Sequence, residues 1–125
     1  MMRVLVVDDS PVMRTFLSRT LGMTGIAMSV QQAENGKQAL SMAVEFLPDL
    51  VLTDLNMPEM SGDELVMKIR DNPELKSTPV IVLSADRSAG RPEQLIHAGA
   101  TAYMTKPVSP ECLRTRLLEV IESQS

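Results

Sequence analysis

The chain has 125 residues, 44% of them hydrophobic and 22% charged, a size and make-up that suit one globular domain and exclude a disordered or fibrous chain. Against 12 Lys+Arg stand 16 Asp+Glu, and the resulting net charge of −4 speaks against a nucleic-acid backbone as partner. The single cysteine, Cys112, excludes an internal disulfide framework, no apolar run approaches the ~20 residues of a membrane span, and the start MMRVLVVDD turns acidic too soon for a signal peptide; a reducing cytoplasm is the expected compartment.

The first apolar run, Arg3–Val7, is nearly continuous Val and Leu, the pattern of a strand covered on both faces, and it ends at Asp8-Asp9. Ser10 followed by Pro11 signals a helix start, with Met13, Phe16, Leu17 and Leu21 on one inward face before Gly22. Ala27–Gln32 alternates, with Met28 and Val30 on one side, as an edge strand does. Asn35-Gly36 opens a second helix that is expected to bury Ala39, Leu40, Ala43 and Leu47 and to stop at Pro48. Leu50–Thr53 is another continuous run, followed at once by Asp54. Ser61-Gly-Asp-Glu64 reads as a capping box for a third helix that buries Leu65, Val66 and Ile69. Val80–Leu83 leads to Ser84. The stretch from Asp86 to Pro92, punctuated by Gly90, delays the next helix, which is expected to be short and to begin near Pro92. Ala102–Met104 runs on to Lys106-Pro107, and Ser109-Pro110 repeats the helix-start signal ahead of Leu113, Leu117, Val120 and Ile121, all expected to face inward.

Five strands alternating with five helices predict an α/β sandwich on a parallel sheet with right-handed crossovers. In such sheets ligands bind beyond the carboxyl ends of the strands, where this chain places Asp8, Asp9, Asp54, Ser84 and Lys106. Taken singly, each suits a helix cap, a turn or a solvated charge. Placed together at successive strand ends, they describe a site. If the first and third strands are neighbours the three aspartates converge, and like charges that close require either a proton or a cation. Carboxylate oxygens in a partly open site suit Mg²⁺. Such a metal beside a carboxylate, an ammonium and a hydroxyl can hold phosphoryl oxygens while the carboxylate attacks phosphorus.

The blocks VLVVDDS, LTDLNMPEMSG, VLSAD and AGATAYMTKP, in that order, make the chain resemble the receiver domain of two-component response regulators, the CheY-like family, over essentially its whole length. The resemblance implies a flavodoxin-like (βα)5 doubly wound sandwich with strand order 2-1-3-4-5, and one receiver domain over residues 1–125 without an output domain. It implies that Asp54 accepts a phosphoryl group from a sensor histidine kinase or phosphotransfer protein. Asp9 would then be a direct Mg²⁺ ligand together with Asp54 and the backbone carbonyl of Asn56, with Asp8 acting through metal-bound water. Lys106 would pair with a phosphoryl oxygen, Ser84 would be the switch hydroxyl, and Tyr103 the aromatic that turns inward with it. The peptide bond before Pro107 would be cis. By the same resemblance the chain is a signalling module that catalyses only its own phosphoryl transfer and dephosphorylation, and acts on a protein target without touching nucleic acid or membrane.

Two other functions fit less well. A Mg²⁺-dependent phosphohydrolase acting on external phosphomonoesters calls for an acid two residues after the nucleophile, where Asn56 stands. A flavin carrier calls for a Gly/Ser/Thr-rich phosphate cradle where the acidic turn DDSPVMR stands. His97 reads as structural or exposed, Cys112 as a helix-face residue, the ten methionines mainly as core filler, and Arg87 and Arg91 as solvated charges.

Overall fold

A computed structural model describes residues 1–85 and 90–124, with Arg91 and Gln124 in backbone only. Asp86, Arg87 and the Arg91 side chain, singled out above, lie outside the described residues. Five strands form one parallel sheet in the order β2-β1-β3-β4-β5. They are β1 (Met2–Val7), β2 (Met28–Ala33), β3 (Leu50–Asp54), β4 (Val80–Ser84) and β5 (Ala102–Thr105). The three runs of continuous Val, Leu and Ile are the three inner strands, where every residue of β3 and β4 is buried. Met28–Ala33 is the edge strand expected, paired only with β1, and Ala33 is its one fully buried residue.

Strand side chains point to opposite faces with a period of two, and this splits the core. Leu5, Val7, Val51 and Val82 pack on one side against α2 (Gly36–Phe46), α3 (Gly62–Asp71) and α4 (Arg91–Ala98). Val4, Val6, Leu52 and Leu83 pack on the other against α1 (Pro11–Gly22) and α5 (Pro110–Gln124). The helix starts follow local chemistry: Ser10, Asn35 and Ser109 each accept a backbone N–H three residues on, at 3.2, 2.8 and 3.1 Å. Helix α4 has eight residues, starts one residue before Pro92, and is the shortest.

Five expectations need correction. Phe16 is 46% exposed, because the inward line of α1 runs through Leu17 and Leu21 and the preceding residue sits about 100° around the helix. Leu40 is only partly buried, and Leu47 is 45% exposed in a left-handed conformation that ends α2 before it could face inward. Ile121 is 39% exposed, on a cleft bordered by Met2, Ile26 and Pro79. Ser61 makes no side-chain cap, so the capping box does not form. A backbone contact sets the start of α3 instead. Gly62 donates to the Leu55 carbonyl at 2.7 Å, and a β-carbon there would stand 2.5 Å from the Asp54 carbonyl oxygen and 2.9 Å from Leu55 Cα.

One side chain ties the amino end of β4 to its neighbours. Arg70, in the last turn of α3, donates to the carbonyls of Gly99 (2.9 Å), Thr78 (2.6 Å) and Lys76 (3.2 Å) and to the Thr101 hydroxyl oxygen (3.4 Å). Arg70→Met keeps the apolar stem but strands these acceptors, and is expected to cost about 3 kcal/mol. That is roughly 10 °C of melting midpoint for a domain of this size. An unchanged midpoint in a thermal melt would remove this clamp from the account.

Candidate functional site

The register of the inner strands brings the candidate residues to one edge. Val7 pairs with Thr53, so Asp8 and Asp54 follow side by side at the ends of β1 and β3. Ser84 pairs with Thr105, and the next residue, Lys106, donates its backbone N–H to the Ser84 carbonyl at 2.9 Å. The ammonium of Lys106 thereby lies 3.1 Å from Asp54 Oδ1 and 3.7 Å from Asp8 Oδ2. The Lys106–Pro107 peptide is cis.

Asp8 is 2% exposed, Asp54 is buried at 8%, and Asp9 is open to solvent. One oxygen from each carboxylate lies within 4.8 Å of those of the other two. Asp8 Oδ1 accepts from Ser10 N–H at 2.9 Å, while its Oδ2 is buried with no hydrogen-bond partner. Asp54 Oδ1 accepts from Leu55 N–H at 3.0 Å. Three carboxylates therefore face one ammonium. Burial raises the pKa of Asp8 above the ordinary carboxylate range, and the charges of Asp54 and Asp9 add to this; the Ser10 N–H and Lys106 oppose it. This donor set fits a hard divalent cation. It consists of oxygens only, it carries excess negative charge, and one buried oxygen lacks a hydrogen-bond donor.

A pH effect follows. Folding makes Asp8 easier to protonate, so the folded chain binds this proton more tightly than the unfolded one. With divalent cations chelated, stability is expected to rise as pH falls from neutrality through the raised Asp8 pKa, and to be lost again as pH rises. Asp8→Asn should remove that gain and melt higher than the parent at neutral pH. Melting midpoints taken in EDTA across this range check it, and a parent and variant with parallel profiles would refute it.

Ser84 is fully buried at the end of β4. Tyr103 in β5 is half-buried and packs on the α2–α4 side of the sheet, the side to which Val80 and Val82 of β4 point. Asn56 is exposed in the loop after β3, in which Glu59 adopts a left-handed conformation (φ 68°). His97 and Cys112 are exposed and take no part in the acidic cluster.

Two features escaped the sequence reading. Arg14 donates to the Asp8 backbone carbonyl at 2.7 Å, and the only available signal was a basic residue one turn into the helix that follows the acidic pair. Beside Lys106, a largely apolar cleft of about 410 Å³ is lined by Val12, Met13, Phe16, Leu17, Pro107 and Val108. Val12 is 79% exposed, and an apolar residue on the outer face of α1 was its sign in the sequence.

Comparison with known proteins gives a consistent answer. The family profile described as the response regulator receiver domain matches residues 4–118. The sensor histidine kinase TmoS of Ectopseudomonas mendocina is 39% identical over 119 residues; these are 95% of this chain, which spans only 12% of the length of that kinase. The chemotaxis protein CheY1 of Helicobacter pylori (strain ATCC 700392 / 26695) is 34% identical over 121 residues, covering 96% of this chain and 97% of that protein. The crystallised chemotaxis protein CheY4 of Vibrio cholerae superimposes with a TM-score of 0.87 at 36% identity, covering 96% of this chain and 98% of that one.

Proposed function

The chain belongs to the response regulator receiver family, and from that premise we propose that it is a phosphorylation-driven switch whose acceptor is Asp54. The observation that carries this reading is the convergence of Asp8, Asp9, Asp54 and Lys106 at one sheet edge, with Lys106 Nζ 3.1 Å from Asp54 Oδ1. An oxygen of the Asp54 carboxylate attacks phosphorus of a phosphohistidine on a sensor kinase or phosphotransfer protein. The P–O bond forms as the P–N bond breaks, and the leaving imidazole takes up a proton. Asp9, Asp54 and the Asn56 carbonyl would hold Mg²⁺, with Asp8 acting through water, and the bound ion would supply positive charge for the transferred oxygens. Lys106 contributes a second, fixed positive charge at the same oxygens.

Once Asp54 carries roughly −1.5 to −2 charges, the hydroxyl of Ser84, buried at the end of the adjacent strand β4, turns toward them. Tyr103, on the neighbouring edge strand, then follows into the space that the hydroxyl leaves, and a downstream protein reads the change. The exposed apolar strip of Val12, Phe16 and Pro107 flanks Lys106, and it offers the phosphodonor a docking contact beside the acceptor. No helix among the described residues is long and apolar enough to cross a membrane. The cytoplasm is the compartment this role calls for.

Incubation with acetyl phosphate and Mg²⁺ is expected to add one phosphoryl group per chain, seen by intact-mass spectrometry, and EDTA or Asp54→Asn should prevent it. Full labelling in EDTA would overturn the metal assignment. Full labelling of the variant would overturn the acceptor.

A further inference from the structure

We infer that Arg14 is a positioning residue for the metal site: it holds the Asp8–Asp9 peptide in the orientation that lets both carboxylates face Asp54. The inference rests on the functional reading above and adds to it a residue outside the acid cluster. The Asp8 carbonyl belongs to the peptide bond that joins the two aspartates, and Arg14 Nη1 donates to it at 2.7 Å. The guanidinium is itself held, because its Nε donates to Gln32 Oε1 on β2 at 3.3 Å, and Gln32 Nε2 donates in turn to the Ser18 hydroxyl oxygen at 3.0 Å. On the other side, Asp8 N–H donates to the Ala33 carbonyl at 3.1 Å and its Oδ1 accepts from Ser10 N–H. Asp8 is thus pinned at its amide, its carbonyl and one carboxylate oxygen, and Arg14 supplies the carbonyl contact.

The need for such a grip is electrostatic. Three like-charged carboxylates with atoms within 4.8 Å repel one another across the β1–α1 turn, and the Arg14 contact adds a hold on the carbonyl of the Asp8–Asp9 peptide to those made at the Asp8 amide and carboxylate. The charges felt by the Asp8 carboxyl are those of Asp54, Lys106 and Asp9. Arg14 works through the main chain, and so it acts as an orienting group of the kind that sets ligand geometry from outside the metal's contact sphere. Two of its N–H groups point in different directions, to Asp8 and to Gln32, and a single lysine ammonium on a flexible stem does not reproduce that fork.

The test is Mg²⁺ binding by the unphosphorylated chain, followed by isothermal titration calorimetry, with the amide resonances of Asp9 and Ser10 in metal-free protein as a second readout. Arg14→Ala is expected to weaken Mg²⁺ about 10-fold, the lower end of what loss of an orienting partner costs. Arg14→Lys should fall between Arg14→Ala and the parent, and the two amide resonances should shift before any metal is added. A purely structural role would lower the melting midpoint and leave the Mg²⁺ Kd of the folded chain unchanged. Gln32→Leu frees the guanidinium without touching the turn, and is expected to weaken Mg²⁺ in the same direction even if Arg14→Ala does not fold. If the parent binds Mg²⁺ and folded Arg14→Ala or Gln32→Leu binds it equally well, the inference falls while the functional reading stands. A parent that binds no Mg²⁺ overturns both.

Discussion

Asp54→Asn is expected to fold, to accept no phosphoryl group from acetyl phosphate, and to melt higher than the parent when Mg²⁺ is chelated. The amide matches the carboxylate in shape, and its oxygen can still accept from Leu55 N–H and from Lys106, which now contact Asp54 Oδ1 at 3.0 and 3.1 Å. Local structure is therefore kept, while the nucleophilic charge is gone. The gain in stability has a separate cause. In the parent, Asp54 is repelled by Asp8 and Asp9 and attracted by Lys106, so two unfavourable pairs outweigh one favourable pair. Removing the net repulsion should be worth about 1 kcal/mol at the effective dielectric of a partly buried site. Mass spectrometry and thermal melts in EDTA measure the two effects. A variant that still takes up label places the acceptor elsewhere, and one that melts lower in EDTA shows that the pocket is not under like-charge strain.

Lys106→Met is expected to slow phosphorylation by about 10²–10³-fold, the usual cost of removing one fixed donor from a transferring group. The methionine keeps most of the stem, so the packing of the loop around the Lys106–Pro107 peptide changes little. What is lost is the only ammonium within 4 Å of Asp8 and Asp54 among the described contacts. Without it the three carboxylates depend on Mg²⁺ alone for compensation, and the metal-free chain should be less stable at neutral pH. Initial labelling rates at saturating Mg²⁺ give the result. A rate within threefold of the parent would mean that Lys106 balances the resting pocket and has no part in the transfer.

The two changes act in opposite directions on the resting chain, and this separates charge balance from chemistry. Asp54→Asn is expected to relieve repulsion and Lys106→Met to increase it, while both are expected to suppress labelling. A pocket held together for stability alone would not behave so. Its geometry crowds three carboxylates around one ammonium at some cost to the metal-free fold, as sites that must bind an additional ion or group commonly do.

Much of this was legible in the residues themselves. The continuous apolar runs Arg3–Val7, Leu50–Thr53 and Val80–Leu83 marked the inner strands, because a strand covered on both faces has no polar side to display. The residues just beyond them pointed to the site, because in a parallel α/β sheet all strands finish at one edge. Helix faces are less legible in the sequence. Phe16, Leu40, Leu47 and Ile121 were expected inside, and all four are apolar and close to the correct period. Periodicity alone does not say how wide a stripe the sheet covers, nor where a helix runs past it. Ser61 had the sequence of a capping box, but the approach of Gly62 to the Asp54–Leu55 backbone takes precedence there.

Local patterns along the chain mark the elements, their alternation and the polar residues that follow four of the five strands, because those depend on neighbours a few positions apart. The tertiary structure bears out the strand order that the family resemblance implies, with β1 between β2 and β3, and it sets Asp8 beside Asp54 with Lys106 3.1 Å from its oxygen. It also decided that Arg14 reaches the Asp8 carbonyl and that Phe16 stays outside beside the cleft. These contacts join segments far apart in the chain or depend on the exact rotation of a helix against the sheet. Close packing of side chains settles that rotation, and no local pattern of residues encodes it.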